Sequence, residues 1–187
     1  MTYAGEADAP EGYDGDWGTP PELVGPIARA LDGFDLDPAG RTPREIEAEG
    51  EGAEQFAENV WDVRPGTPDG AAEEWFGDVW LNPPYGRKEN PEWAEVFSDQ
   101  VDCGLPDSVT ALVPASTTAD WFHDHYLSRA DWVAFPDTRL RFVAGGSYAK
   151  ARFGNALFHW SADTRPRDDD VVRALSGVGA VLEVADR

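Results

Sequence analysis

The sequence is short of cysteine, lysine, histidine and long apolar runs, and each shortage excludes something. One cysteine, Cys103, in 187 residues leaves no internal disulfide and no cysteine-built metal cluster. It follows Asp102 beside a turn, where it is expected to be a small buried residue. Of the three histidines, His123 and His125 stand two apart and cannot share a helix face; surface histidines are expected there, and no metal site. No apolar run approaches the ~18 residues of a membrane span. The acidic amino terminus has no basic-then-apolar signal pattern, so the expectation is a cytoplasmic protein without a membrane partner.

Basic charge is the largest deficit. Fifteen bases face 36 acids, a formal net charge of -21, and only Lys88 and Lys150 are lysines. An acidic partner would be repelled by such a surface at ordinary ionic strength. Either the chain has no such partner, or it works at molar salt, where the screening length falls to ~3 Å. Acid-rich, lysine-poor composition fits the second, and a salt-loving host is the expectation. What is present in quantity is core material: 41% hydrophobic residues and eight tryptophans make a folded globule. The length suits one domain with one substantial core. We assign residues 16–187 to that domain and Met1–Gly15, acidic and Gly-rich, to a mobile tail.

The chain is organised around Val79-Trp80-Leu81-Asn82-Pro83-Pro84-Tyr85-Gly86. Val79 to Leu81 reads as a buried strand, stopped by two prolines that cannot continue a sheet ladder. In open α/β sheets the carboxyl end of a strand is where ligands bind. The Asn82 side-chain oxygen and the Pro83 carbonyl are two acceptors on a stiff backbone. Held by them, the two N–H groups of an exocyclic amine or an amide favour a more tetrahedral nitrogen, its lone pair aimed at an electrophile. Tyr85 offers a ring face for a flat group, worth ~1–3 kcal/mol per base in nucleic-acid systems.

Before this stretch, Glu22 to Leu31 has helical spacing, with Thr19 as N-cap, Pro20 at the first helical position and Glu22 completing a capping box. Phe34 to Asp37 is a short strand ending at Pro38-Ala39-Gly40, in which Asp35 and Asp37 compete with a reading as solvated loop acids. Val60 to Val63 reads as another strand and Arg64 to Gly70 as a loop. After it come a basic turn at Gly86-Arg87-Lys88, a helix over Pro91 to Val101, a strand over Val109 to Val113 and a helix over Asp120 to Ser128. Asp131 to Phe135 is a strand. Gly154 to Trp160 is expected to pair with Arg139 to Val143 through a turn at Gly145-Gly146. An acidic helix and a last apolar strand fill Asp168 to Val184. From Thr138 to Ala162 there is no acid, while Arg139, Arg141, Lys150 and Arg152 all fall in that window.

Asn82-Pro83-Pro84-Tyr85 resembles the catalytic motif of S-adenosylmethionine-dependent amino-methyltransferases. Asp16-Trp17-Gly18-Thr19-Pro20, Phe34 to Ala39, Trp75 to Tyr85 and Arg139-Leu140-Arg141-Phe142 follow the order seen in phage-type (Dam-like) DNA adenine-N6 methyltransferases, over about Tyr13 to Trp160. The resemblance implies a single Rossmann-like class I methyltransferase domain, α/β with a mixed sheet flanked by helices; the charge adds a halophilic host or its virus. It implies methyl transfer from S-adenosylmethionine to adenine N6 in DNA, with no metal. Asn82, Pro83, Pro84 and Tyr85 would be catalytic. Trp17, Thr19, Pro20, Asp37, Pro38, Ala39 and Asp69, or Asp62 in its stead, would meet the cofactor. Arg87, Lys88, Arg139, Arg141, Lys150 and Arg152 would meet DNA. No Gly-x-Gly follows Ala39, a departure from the pattern. Two other functions stay open: methyl transfer to a protein glutamine or to RNA, and an inactive cofactor-binding interaction module.

Overall fold

A computed structural model describes residues 18–40, 56–62, 68–144, 147–162 and 168–185. The proposed tail Met1–Gly15, Asp16, Trp17 and the Gly145-Gly146 turn lie outside the described residues. Helix α1 spans Pro21–Leu31. The parallel strands β1 (Phe34–Gly40), β2 (Ala57–Asp62), β3 (Gly77–Leu81) and β4 (Pro106–Pro114) follow, with helix α2 (Glu89–Cys103) between the last two. A π-helical turn, Phe122–Leu127, precedes β5 (Trp132–Pro136). Then come β6 (Arg141–Ala144), β7 (Ser147–Lys150), β8 (Asn155–Ser161), helix α3 (Asp168–Ser176) and β9 (Gly179–Glu183).

Seven strands form one sheet in the order β2-β1-β3-β4-β8-β5-β9. β8 runs antiparallel to both β4 and β5, and β9 antiparallel to β5. The result is the Rossmann-like α/β class implied by the sequence, a mixed sheet flanked by helices. Among the described residues a single strand, β2, lies between β1 and β3 in the chain, so that part of the sheet is abbreviated, as the short spacing requires. The chain leaves β1 toward β2 on one side and returns to β3 on the other. That reversal is a topological switch point, and it opens a crevice at the carboxyl ends of β1 and β3.

Alternation along the strands sends side chains to two apolar layers. Val79 and Leu81 of β3, Val109, Ala111 and Val113 of β4, and Ala156 and Phe158 of β8 pack with Trp93, Phe97, Phe122 and Tyr126 of α2 and the π-helical turn. On the opposite face Trp80, Leu112 and Leu157 pack with Leu23, Val24 and Ile27 of α1 and Val171 and Leu175 of α3. Arg129 forks onto Asp102 with bonds of 2.9 and 2.7 Å, tying the end of α2 to the π-helical turn.

Several expectations are corrected. α1 starts one residue late: Pro20 is its N-cap, and no side chain caps it. Two prolines in sequence pre-set the extended entry and the first helical φ, which frees Thr19 from the capping box. β1 runs through Pro38 to Gly40, with an irregular register between Asp37 and Gly40. Asp35 is no solvated loop acid, since its Oδ2 accepts the Asp78 N–H at 2.7 Å. Gly77, at φ 65°, lets the chain pass so close that a Cβ there would meet the Asp35 carboxylate at 2.1 Å. β6 pairs with β7 rather than with Gly154 to Trp160. The latter stretch is buried on both faces, and such a strand belongs inside a sheet, between β4 and β5. Cys103 is exposed, not buried, because it ends α2 just before the left-handed Gly104. His123 and His125 are half-buried, held by the Thr117 carbonyl at 2.9 Å and Ser98 Oγ at 2.8 Å.

Candidate active site

Asn82 leaves the end of β3 on the α1 face of the sheet, the next even position after the buried Trp80. Its Nδ2 donates to Thr19 Oγ1 at 3.2 Å. Its Oδ1 accepts the Tyr85 hydroxyl at 2.7 Å. Thr19 precedes α1, Tyr85 follows the two prolines, and so the amide is gripped from both sides of the crevice. The motif's stiffness explains the second grip. Pro83 and Pro84 fix two consecutive φ angles and bring the chain round to return Tyr85 toward Asn82.

The Tyr85 hydroxyl also lies 2.9 Å from the Leu112 carbonyl at the neighbouring strand end. It has one proton for two acceptors. Burial is the main reason its pKa stands well above the ordinary 10.0; the Tyr126 phenol adds to the rise and the Asn155 side-chain amide pulls it back. The group is therefore a neutral O–H donor throughout the physiological range. Tyr85 itself is half-buried, and its ring meets Phe142 and Phe153 edge-on, with centroids 6.3 and 5.7 Å away. The ring expected to lie open for stacking is thus turned inward at its polar end.

Of the expected cofactor residues, Asp37, Pro38, Ala39 and Asp69 lie at the β1 side of the same crevice. Asp37 Oδ1 accepts the Ala39 N–H at 3.1 Å, bending the end of β1. The turn carrying Asp69 sits against this end, for Gly70 packs so tightly on Pro38 that a Cβ would come within 1.8 Å of its carbonyl oxygen. Asp69 is exposed and caps its own turn, Oδ1 accepting the Ala71 N–H at 3.0 Å. Trp75 locks that turn by donating its indole N–H to the Gly70 carbonyl at 2.8 Å. Asp37, Pro38 and Asp69 therefore come together, near the strand end that carries Asn82. Thr19 and Pro20 approach from the α1 side. Asp62 ends β2, paired with Gly40.

Of the bases expected at a nucleic acid, Arg139, Arg141, Lys150 and Arg152 are exposed on the β6–β7 hairpin and its continuation. Arg141 is directly opposite Lys150. The hairpin is anchored beneath them by Leu140 and Phe142, both buried in the α1-side layer. Arg87 and Lys88 are exposed at the start of α2, with Lys88 3.3 Å from Glu92.

Three contributors to this place escape the sequence reading. The Leu112 carbonyl is invisible in sequence, because any residue supplies one. Phe153, 37% exposed, borders Tyr85. Asn155 is 5% exposed at the first position of β8, opposite Pro114. Both lie in the acid-free window, and that was the available signal.

No family model matches the chain, and no curated protein matches it. Among solved structures it is similar to one titled "The crystal structure of a possible methylase from Clostridium difficile 630", with 16% identity and a TM-score of 0.29. The match covers 62% of this chain and 27% of that one, so the chain spans about a quarter of its length. A likeness of that size says nothing about chemistry, which must come from the site's own atoms.

Proposed function

We propose that the protein is an S-adenosylmethionine-dependent methyltransferase acting on the exocyclic N6 of adenine in DNA. One observation carries the reading. Asn82 Oδ1 holds an X–H donor, the Tyr85 hydroxyl, at 2.7 Å, in the switch-point crevice beside the end of β1. An acceptor of this kind is what an amine needs, and it stands where this class of sheet binds ligands.

The residues at the end of β1 fit the cofactor by charge. Asp37 gives the crevice a carboxylate that suits the charged methionine end of the cofactor, and Asp69 one that suits its adenine, as the resemblance assigns them. The cofactor supplies an electrophilic methyl group on a positive sulfur. The remaining work falls to this chain. Asn82 Oδ1 and the Pro83 carbonyl accept the two N–H groups of the amine and turn its lone pair out of conjugation. Thr19 keeps the Asn82 amide from rotating. No covalent enzyme intermediate is required, and catalysis comes from orientation and from acceptors that strengthen as the nitrogen becomes positive. The methylated nitrogen, now positive, then loses one N–H proton to water, and the neutral secondary amine remains. In a duplex the base must first be flipped out of the stack. The hairpin bases Arg139, Arg141, Lys150 and Arg152, with Arg87 and Lys88, form the rim for the phosphate backbone. The acidic remainder of the surface suits a halophilic host or its virus, where salt screens repulsion.

The test is transfer of labelled methyl groups from S-adenosylmethionine to DNA, RNA and protein, at high KCl. The expected product is N6-methyladenine in DNA. Asn82→Ala should lose on the order of 10²-fold or more in rate, with cofactor affinity nearly unchanged. Near-full activity of Asn82→Ala would refute the role of the motif. Label in a protein glutamine or in RNA would replace the substrate, and cofactor binding without transfer would make the chain a non-catalytic module.

A further inference from the structure

A buried polar side chain is expected to have hydrogen-bond partners, and Asn155 breaks that rule twice. Both atoms of its amide, Oδ1 and Nδ2, are buried and neither has a hydrogen-bond partner. The residue is 5% exposed. Its neighbours on the same face of the sheet are not left so. Thr110 Oγ1 meets His159 Nδ1 at 2.9 Å, and Ser108 donates to Asp78 at 2.7 Å. The other His159 nitrogen, Nε2, faces the Asp168 carboxylate 4.0 Å away, and Asn155 stands apart from these groups at the carboxyl edge of the sheet.

Its position says what the amide faces. The register puts Asn155 opposite Pro114 and Leu157 opposite Leu112. Asn155 thus lies on the face of Leu112 and Trp80, at the strand edge where the Tyr85 hydroxyl reaches the Leu112 carbonyl. The amide is near enough to that hydroxyl to act on its ionisation, yet without hydrogen-bond geometry. Around one hydroxyl therefore stand two acceptors, Asn82 Oδ1 and the Leu112 carbonyl, and an amide offering one donor and one more acceptor.

We propose that Asn155 is a substrate-positioning residue: when the Tyr85 hydroxyl leaves Asn82, a planar group carrying an N–H beside a ring or carbonyl acceptor enters, and Asn155 Nδ2 donates to that acceptor. The inference rests on the methyltransferase reading above and deepens it. In adenine the acceptor is N1, next to the N6 amine. Asn82 then reads the amine and Asn155 reads its neighbour. A resting site that lodges its own hydroxyl on Asn82 keeps that acceptor out of bulk water until the substrate displaces it. A structural amide would be bonded within the fold; this one completes its bonds with the substrate.

The experiment pairs a protein change with a substrate change. Random-sequence oligonucleotides are made with all adenines normal or all replaced by 1-deazaadenine, which keeps the amine and lacks N1. Methyl transfer to each is measured for wild type, Asn155→Leu and Asn82→Ala, with melting curves for each variant. Wild type should prefer adenine over 1-deazaadenine by about 10-fold or more in kcat/KM, as expected when a site built to bond a group meets its absence. In Asn155→Leu the preference should fall close to one, while the rate on 1-deazaadenine stays near that of wild type. A merely structural role would lower both rates together and leave their ratio alone, and that outcome overturns the proposal. Asn155→Ala serves if the leucine variant does not fold: it removes the donor, so its ratio should collapse in the same way. Loss of transfer in Asn82→Ala with an unchanged ratio in the Asn155 variants sinks this inference and leaves the site reading standing. Full activity of Asn82→Ala, or no transfer to DNA by wild type, sinks the site reading and this inference with it.

Discussion

Thr19→Val is the sharpest probe of how the site is held. The change keeps the shape of the side chain and removes only the oxygen that accepts Asn82 Nδ2 at 3.2 Å. That distance is at the long end of the normal range, so the bond is worth no more than the middle of the ~0.5–1.5 kcal/mol that such bonds contribute. A loss of about 1 kcal/mol would lower the melting temperature by only ~2–4 °C in a chain of this size. The same energy spent on orientation should cost roughly 5-fold in kcat, since ~1.4 kcal/mol corresponds to tenfold. KM for the cofactor should move less than kcat, because the oxygen removed is the one bonded to Asn82. Thr19→Ser restores the hydroxyl and should recover most of the rate. The assay is single-turnover methyl transfer at saturating cofactor, in high KCl, on wild type, both Thr19 variants, Asn82→Ala and the Thr19→Val, Asn82→Ala double variant. If the hydroxyl works through Asn82, Thr19→Val should add nothing once Asn82 is gone. Equal kcat in wild type and Thr19→Val, or a full additional loss in the double variant, would refute the positioning argument.

Two further outcomes are expected. Raising KCl from 0.1 M to molar concentration should increase both thermal stability and activity, because a net charge of -21 repels itself in dilute buffer; a flat melting temperature over that range would remove the salt-loving account. Arg139→Glu with Arg141→Glu should weaken DNA binding at least tenfold at high KCl and leave cofactor affinity intact, as directional Arg–phosphate bonds carry more of the contact when counterion release is small. Unchanged DNA affinity in the folded variant would place the nucleic acid elsewhere.

Much of the architecture was legible because it rests on local signals. The apolar run before Asn82 is β3, the spacing of Leu23, Val24 and Ile27 is α1, and the apolar stretch near the carboxyl terminus is β9. Sequence order failed where partners are distant. Nothing local says that residues 155–161 leave the hairpin to β7 and insert between β4 and β5. Thr19 was misread for a related reason. A capping box is a local pattern, but its hydroxyl found a partner 63 residues away. The site was half visible. The motif's residue types identify Asn82 and Tyr85, whereas their mutual bond, the Leu112 carbonyl and Asn155 depend on which strand ends the sheet brings side by side.

The late arrival of β8 has a consequence for how the molecule is made. Its residues, 155–161, come after those of β4 and β5, yet it is the strand that joins them. While the chain is still emerging from the ribosome, β1 to β4 can assemble as a parallel half-sheet, but β5 has no edge to dock on. The half-sheet would then display β4, with its apolar faces and open backbone edge, until residue 161 is out. Pairs such as Thr110 with His159 close loops of 49 residues, the kind of distant contact that makes folding slow and exposes unpaired edges to other chains. The last strand to enter the centre also brings Asn155, so the crevice at the ends of β1 and β3 is finished only when the sheet is.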